Sequence, residues 1–151
     1  MARISKIYRI LISGLLTLLG FSFGSCFPAP EYGAPTATYK AKGVVVSEVG
    51  NSPIKGIRAV LKHARDDEYS TIATVFTNSA GSFSLEGRCS PREKLYVKLT
   101  DIDEEANGGS FTEREIEADY TNVTLTGGNN GHWWYEGEAE LNLGTITMTP
   151  Q

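Results

Sequence analysis

The sequence predicts an all-β domain, an antiparallel β-sandwich of seven to eight strands, and three observations carry that prediction. From Tyr39 onward, short segments rich in Val, Ile, Thr, Tyr and Phe recur with almost no helical period. Several of them alternate apolar and polar residues, as a strand with one buried face requires. Clusters of Gly, Asn, Ser and Pro separate them, and these residues supply the backbone conformations of tight turns.

Each strand follows in order. Tyr39 to Ser47 contains Gly43-Val44-Val45-Val46, and Gly50-Asn51-Ser52-Pro53 ends it. In the next, Ile57 to His63, the apolar set Ile57, Ala59 and Leu61 points one way and Arg58, Val60 and Lys62 the other. Thr71 to Thr77 is joined through Asn78-Ser79-Ala80-Gly81 to Ser82 to Leu85, where Phe83 and Leu85 face inward. Leu95 to Thr100 sets Leu95, Val97 and Leu99 against Tyr96, Lys98 and Thr100. Phe111 to Ala118 and Val123 to Thr126 follow, then the loop Gly127-Gly128-Asn129-Asn130-Gly131. The last strand, Glu138 to Met148, buries Leu141, Leu143 and Ile146 and carries a bulge at Gly144. Seven or eight strands with one apolar face each close as two packed sheets.

The first 25 residues belong to another kind of sequence. Arg3, Lys6 and Arg9 precede an uncharged core, Ile10 to Phe23, and Gly24-Ser25-Cys26 closes it. This is a secretory signal pattern. The core, about 14 residues, is short of the ~20 that cross a bilayer as a helix, and Pro28 and Pro30 follow at once. Gly24-Ser25 ahead of Cys26 resembles a lipobox, with Phe23 where Leu is usual, and the resemblance implies lipidation of Cys26 and a membrane anchor; an uncleaved anchor or an ordinary secretory cleavage near Ala29 is the alternative. Residues 26–38 read as a Pro-rich tether carrying that cysteine, and 39–151 as the folded domain.

The charge balance sharpens once the leader is set apart. The whole chain of 151 residues has 14 Lys+Arg against 18 Asp+Glu, a net charge of −4. Removing three cations and no acid leaves 11 against 18, a balance of −7. An acidic domain disfavours nucleic acid as a partner and favours a divalent cation or a basic protein. With Cys26 acylated, Cys89 has no partner for a disulfide and reads as a small, partly buried residue near a strand end.

The run from Gly43-Val44-Val45-Val46 through Pro53-Ile54-Lys55-Gly56-Ile57, Thr77-Asn78-Ser79-Ala80-Gly81-Ser82-Phe83 and Leu95-Tyr96-Val97-Lys98-Leu99 resembles the carboxypeptidase regulatory-like domain, over residues 40 to 101. That resemblance implies a transthyretin-like, Ig-like sandwich, with Asn78 where the family's turn has Asp. The stretch from Asp101 to Phe111, with Trp134-Tyr135-Glu136-Gly137, resembles a narrower group, small lipoproteins of Bacteroidetes encoded beside a radical SAM enzyme. It implies a cell-envelope protein and names that enzyme as an associate. Phe27 after Cys26, in place of the Asp that retains some lipoproteins at the inner membrane, points to the outer membrane.

Two local features carry chemistry. Asp101, Asp103, Glu105 and Asn107 offer hard oxygen ligands in one loop, which suits Ca²⁺. Ala106 and Thr112 break the EF-hand spacing, and a solvated acidic turn is the alternative. Trp133, Trp134 and Tyr135 form an aromatic run beside the glycine loop, suited to stacking a glycan or to docking an envelope protein; the alternative is that one Trp closes the core. Enzyme motifs are absent from the sequence. His63 and His132 lack an HExxH context, there is no G-x-S-x-G or P-loop, and one small sandwich offers no evident cleft for a pair of glycosidase carboxylates. The sequence therefore points to a non-catalytic, lipid-anchored domain for binding or assembly, with a surface carbohydrate-binding module as the alternative.

Overall fold

The computed structural model describes residues 34–64, 71–92, 94–103, 106, 108–128 and 134–151. The leader, Cys26 and the tether as far as residue 33 lie outside them. Seven strands form: β1 Thr36–Ser47, β2 Arg58–Lys62, β3 Thr71–Phe76, β4 Ser82–Cys89, β5 Lys94–Thr100, β6 Arg114–Asp119 and β7 Tyr135–Met148. They build two sheets, ordered β4-β1-β7 and β3-β2-β5-β6, so the domain is an all-β sandwich.

The predicted alternation sets the faces. Ile57, Ala59 and Leu61, together with Leu95, Val97 and Leu99, line the inner face of the four-stranded sheet and are buried. Phe83 and Leu85 of β4 meet them from the other sheet, with Ala37, Tyr39, Ala41 and Val45 of β1. The Asn78 turn also follows its sequence signal. Asn78 Oδ1 accepts the Ala80 and Ser82 N–H groups at 2.9 and 3.1 Å, and the buried Thr77 hydroxyl donates to Ile54 O at 2.7 Å while accepting the Ile57 N–H at 3.0 Å. A side-chain oxygen thus replaces backbone partners where the chain passes between sheets. The bulge stands at Gly144 (φ 68°), where β7 carries Leu143 and Gly144 between partners of Lys42 and Val44.

Five details depart from the sequence reading. β1 begins at Thr36, inside the stretch assigned to the tether, because Ala37 lies in register between Cys89 and Gly137 and is fully buried there. β4 runs four residues past Leu85, since the longer β1 supplies ladder partners as far as Cys89. β1 and β7 pair in parallel, so the sandwich is not purely antiparallel. β6 starts at Arg114, while Phe111 makes a lone bridge to Pro150. Val123 to Thr126 is no strand; Thr126 alone bridges Glu138, and Val123 and Leu125 pack as a cover on the core.

Lys62 keeps to the outer face assigned to it but is only 4% exposed, because β2 is an interior strand and Tyr96 stands directly opposite on β5. Its ammonium meets Glu115 at 2.8 Å. Other lysines pair with glutamates on the next strand, Lys40 with Glu138 at 2.6 Å, Lys42 with Glu140 at 2.8 Å and Lys94 with Glu117 at 2.6 Å, and Lys98 pairs with Glu113, just ahead of β6, at 2.9 Å. Such pairs add little energy each, but a slip of one residue would turn the lysines away from their partners, so they help fix register.

These pairs set the response to acid. Lys40 holds Glu138 below the usual carboxylate range, Lys98 does so for Glu113, and the Thr121 hydroxyl and N–H do so for Asp119. A group with a lowered folded value contributes stability that is complete above its ordinary value and lost as pH falls through the lowered one. The melting temperature is expected to stay level from pH 7 to 5 and to fall below about pH 4. Melts recorded across that range check this; a decline that is complete above pH 5 would contradict it.

Candidate functional site

The end of the sandwich where β1 and β7 begin and β4 and β6 finish holds a cavity of about 330 Å³. Strand geometry explains its walls. Tyr39 points into the domain from β1 by the same alternation that buries Ala37 and Ala41. Tyr120 follows β6 directly, and the two rings meet edge to face with centroids 4.8 Å apart and planes at 72°. The Tyr120 hydroxyl donates to Lys40 O at 3.0 Å, which fixes that ring against β1. Arg92, in the short link between β4 and β5, gives its backbone N–H to the Tyr39 hydroxyl at 2.6 Å.

Pro91, Val123, Leu125 and Ala139 supply the apolar wall. The segment carrying Val123 and Leu125 is held at both ends. Thr121 donates from its N–H and its hydroxyl to Asp119 Oδ1 at 2.9 and 2.5 Å, and Thr126 exchanges backbone hydrogen bonds with Glu138 at 2.9 and 2.7 Å.

The electrostatics keep both tyrosines neutral. Burial pushes the Tyr39 hydroxyl up, the Arg92 N–H opposes this, and nearby Cys89 and Glu136 add to the rise. Burial pushes Tyr120 up much further. The Cys89 thiol, the last residue of β4, is also raised by burial and only partly offset by Arg92, so at neutral pH it is a protonated, partly buried side chain.

The predicted site residues fall elsewhere. Asp101 Oδ1 accepts the Asp103 N–H at 3.2 Å and Oδ2 accepts the Phe111 N–H at 3.0 Å, so this carboxylate braces its own loop. Glu105 and Asn107 lie outside the described residues, among which no group of three metal-ligating side chains comes together. Trp133 and His132 likewise lie outside. Trp134 is 37% exposed, and its carbonyl accepts from the Thr36 N–H and hydroxyl, both at 2.8 Å. Tyr135 is half-buried, with the Arg88 guanidinium 4.6 Å over its ring and its hydroxyl 3.1 Å from Thr38 Oγ1. That face of Tyr135 is closed to a sugar ring by a cation–π contact.

The cavity corrects the expectation of a domain without a cleft. Tyr39, Arg92 and Tyr120 come from three distant parts of the chain, and the one local signal was the Ser90-Pro91 turn that places Arg92 after Cys89.

No protein-family model and no curated protein sequence matches the chain. Solved structures similar to it include the major pilin subunit of Bacillus cereus, with a TM-score of 0.44 and 12% identity over 76% of this chain and 31% of that one. A 9R-lipoxygenase from Cyanothece PCC8801 is similar over 73% of this chain and 16% of its own, with a TM-score of 0.41 and 18% identity. The chain spans less than a third of the length of either protein.

Proposed function

We propose that the chain is a lipid-anchored protein of the cell envelope, attached through Cys26, and that its sandwich is a binding domain without catalytic activity. What supports the anchor most is the uncharged core closed by Gly24-Ser25-Cys26, and the start of β1 sets its reach. Thr36 follows Cys26 by ten residues, an interval that reaches about 35 Å at most. An acylated Cys26 would keep the domain within that distance of a bilayer, entered by the chain at the end that holds the cavity. More than one acyl chain is needed for a lasting attachment of this kind.

Metabolic fatty-acid labelling of the wild type and of Cys26→Ala tests the anchor. The wild type is expected to carry label and to sediment with membranes, and the variant to lose both; a labelled, membrane-bound variant would overturn the assignment. We further propose, on the resemblance to radical SAM-associated lipoproteins, that such an enzyme is an associate, and intact masses from cells with and without it test this. An unchanged mass removes this chain from that enzyme's targets.

A further inference from the structure

We propose that the cavity between Tyr39, Arg92 and Tyr120 binds a small organic carboxylate with an aromatic or aliphatic body. The inference rests on the reading of the sandwich as a binding domain and is independent of the anchor. Two polar groups at the cavity await an acceptor. Arg92, an exposed residue, lines it, and its side chain makes no ion pair or hydrogen bond with another described residue. The Tyr39 hydroxyl, on a residue 2% exposed, accepts the Arg92 N–H at 2.6 Å, and its own hydrogen has no acceptor among the described residues. A phenol is protonated at neutral pH, and burial pushes Tyr39 further up, so it stays a donor.

A planar guanidinium and a phenolic O–H on two residues of one cavity lining suit a carboxylate. The guanidinium takes its two oxygens as a fork, and the hydroxyl adds a third hydrogen bond. Beyond these donors the Tyr120 ring and the Val123 and Leu125 side chains offer an apolar bed. A volume near 330 Å³ lies at the small end of ligand sites and fits a body of about ten non-hydrogen atoms. Inorganic anions would leave that apolar wall unused, and a neutral amide would forgo the charge-assisted pair with Arg92.

The test uses the full-length chain in phospholipid nanodiscs, with empty nanodiscs as the blank, titrated with phenylacetate and octanoate and followed by ligand-observed NMR. At least one acid is expected to bind, and its neutral amide to bind about tenfold more weakly. Arg92→Met is expected to weaken the acid about tenfold or more, and Tyr39→Phe, which keeps the ring contact with Tyr120, about fivefold. Leu125→Trp fills the cavity while leaving both donors in place, and should abolish binding. Each variant is melted in parallel, so that loss of binding counts only in a folded chain. Failure of both acids to bind the wild type overturns the proposal, as does undiminished binding by Arg92→Met or Leu125→Trp. The Cys26 labelling result moves with none of these.

Discussion

Replacing Gly81 with alanine is expected to cost about 3 kcal/mol of folding stability and to lower the melting temperature by about 10 °C or more. Gly81 closes the Asn78 turn at φ 70°, a left-handed conformation that disfavours any side chain by about 1–2 kcal/mol. The larger effect is contact. A Cβ there would lie 2.3 Å from the Val45 carbonyl oxygen, well inside any tolerated separation. Neither partner can withdraw freely, because Gly81 O accepts the Val45 N–H at 2.8 Å and the Gly81 N–H donates to Asn78 O at 2.9 Å. Gly144 supplies the comparison. It has nearly the same φ, 68°, but nothing within 4 Å of an added Cβ, so Gly144→Ala should cost only about 1 kcal/mol. Urea unfolding of both variants separates the conformational cost from the contact, and equal losses would remove the contact from the account.

Leu85→Ala is expected to lose about 3 kcal/mol, through the transfer of its lost methyl groups and the cavity left behind. Leu85 is fully buried on β4, opposite Ala41, at the centre of the apolar layer between the sheets. Leu141 stands across the same Ala41 on β7 but is only partly buried, so Leu141→Ala should cost about 1 kcal/mol. An unchanged dependence on denaturant in both variants would show that the loss belongs to the folded state. Equal losses would contradict the placement of Leu85 at the core centre.

Much of the fold was legible because its signals are local. Period-two alternation in Ile57 to Lys62 and Leu95 to Thr100 fixes which side chains face the core wherever partners exist on both sides. Asn78 and Gly81 determine their turn through bonds that span four residues. The same alternation misled at Val123 and Leu125, whose apolar spacing is genuine although the segment lacks a ladder. What was illegible is non-local. Thr36-Ala37-Thr38 follows Pro35 and looks like tether; only Cys89 and Gly137, far away in sequence, make it strand. The cavity was hidden for the same reason, since Tyr39, Arg92 and Tyr120 bear no pattern until β1 begins beside the ends of β4 and β6. The candidates that local composition did advertise, Asp101 and Tyr135, are largely occupied by neighbours.

The parallel pairing of β1 with β7 has a mechanical side. Both strands run the same way, so tension applied ahead of Thr36 against a hold at Gln151 pulls them past each other along their length. Their cross-strand bonds lie roughly across that direction and share the load, instead of opening one after another as in an unzipped hairpin. On its other side β1 is bonded to β4, which grips the strand under tension along much of its length. Survival under pulling depends on the rate of unfolding more than on equilibrium stability. A domain tied to a moving surface by its first strand would gain resistance to rupture from this arrangement without any extra cross-link.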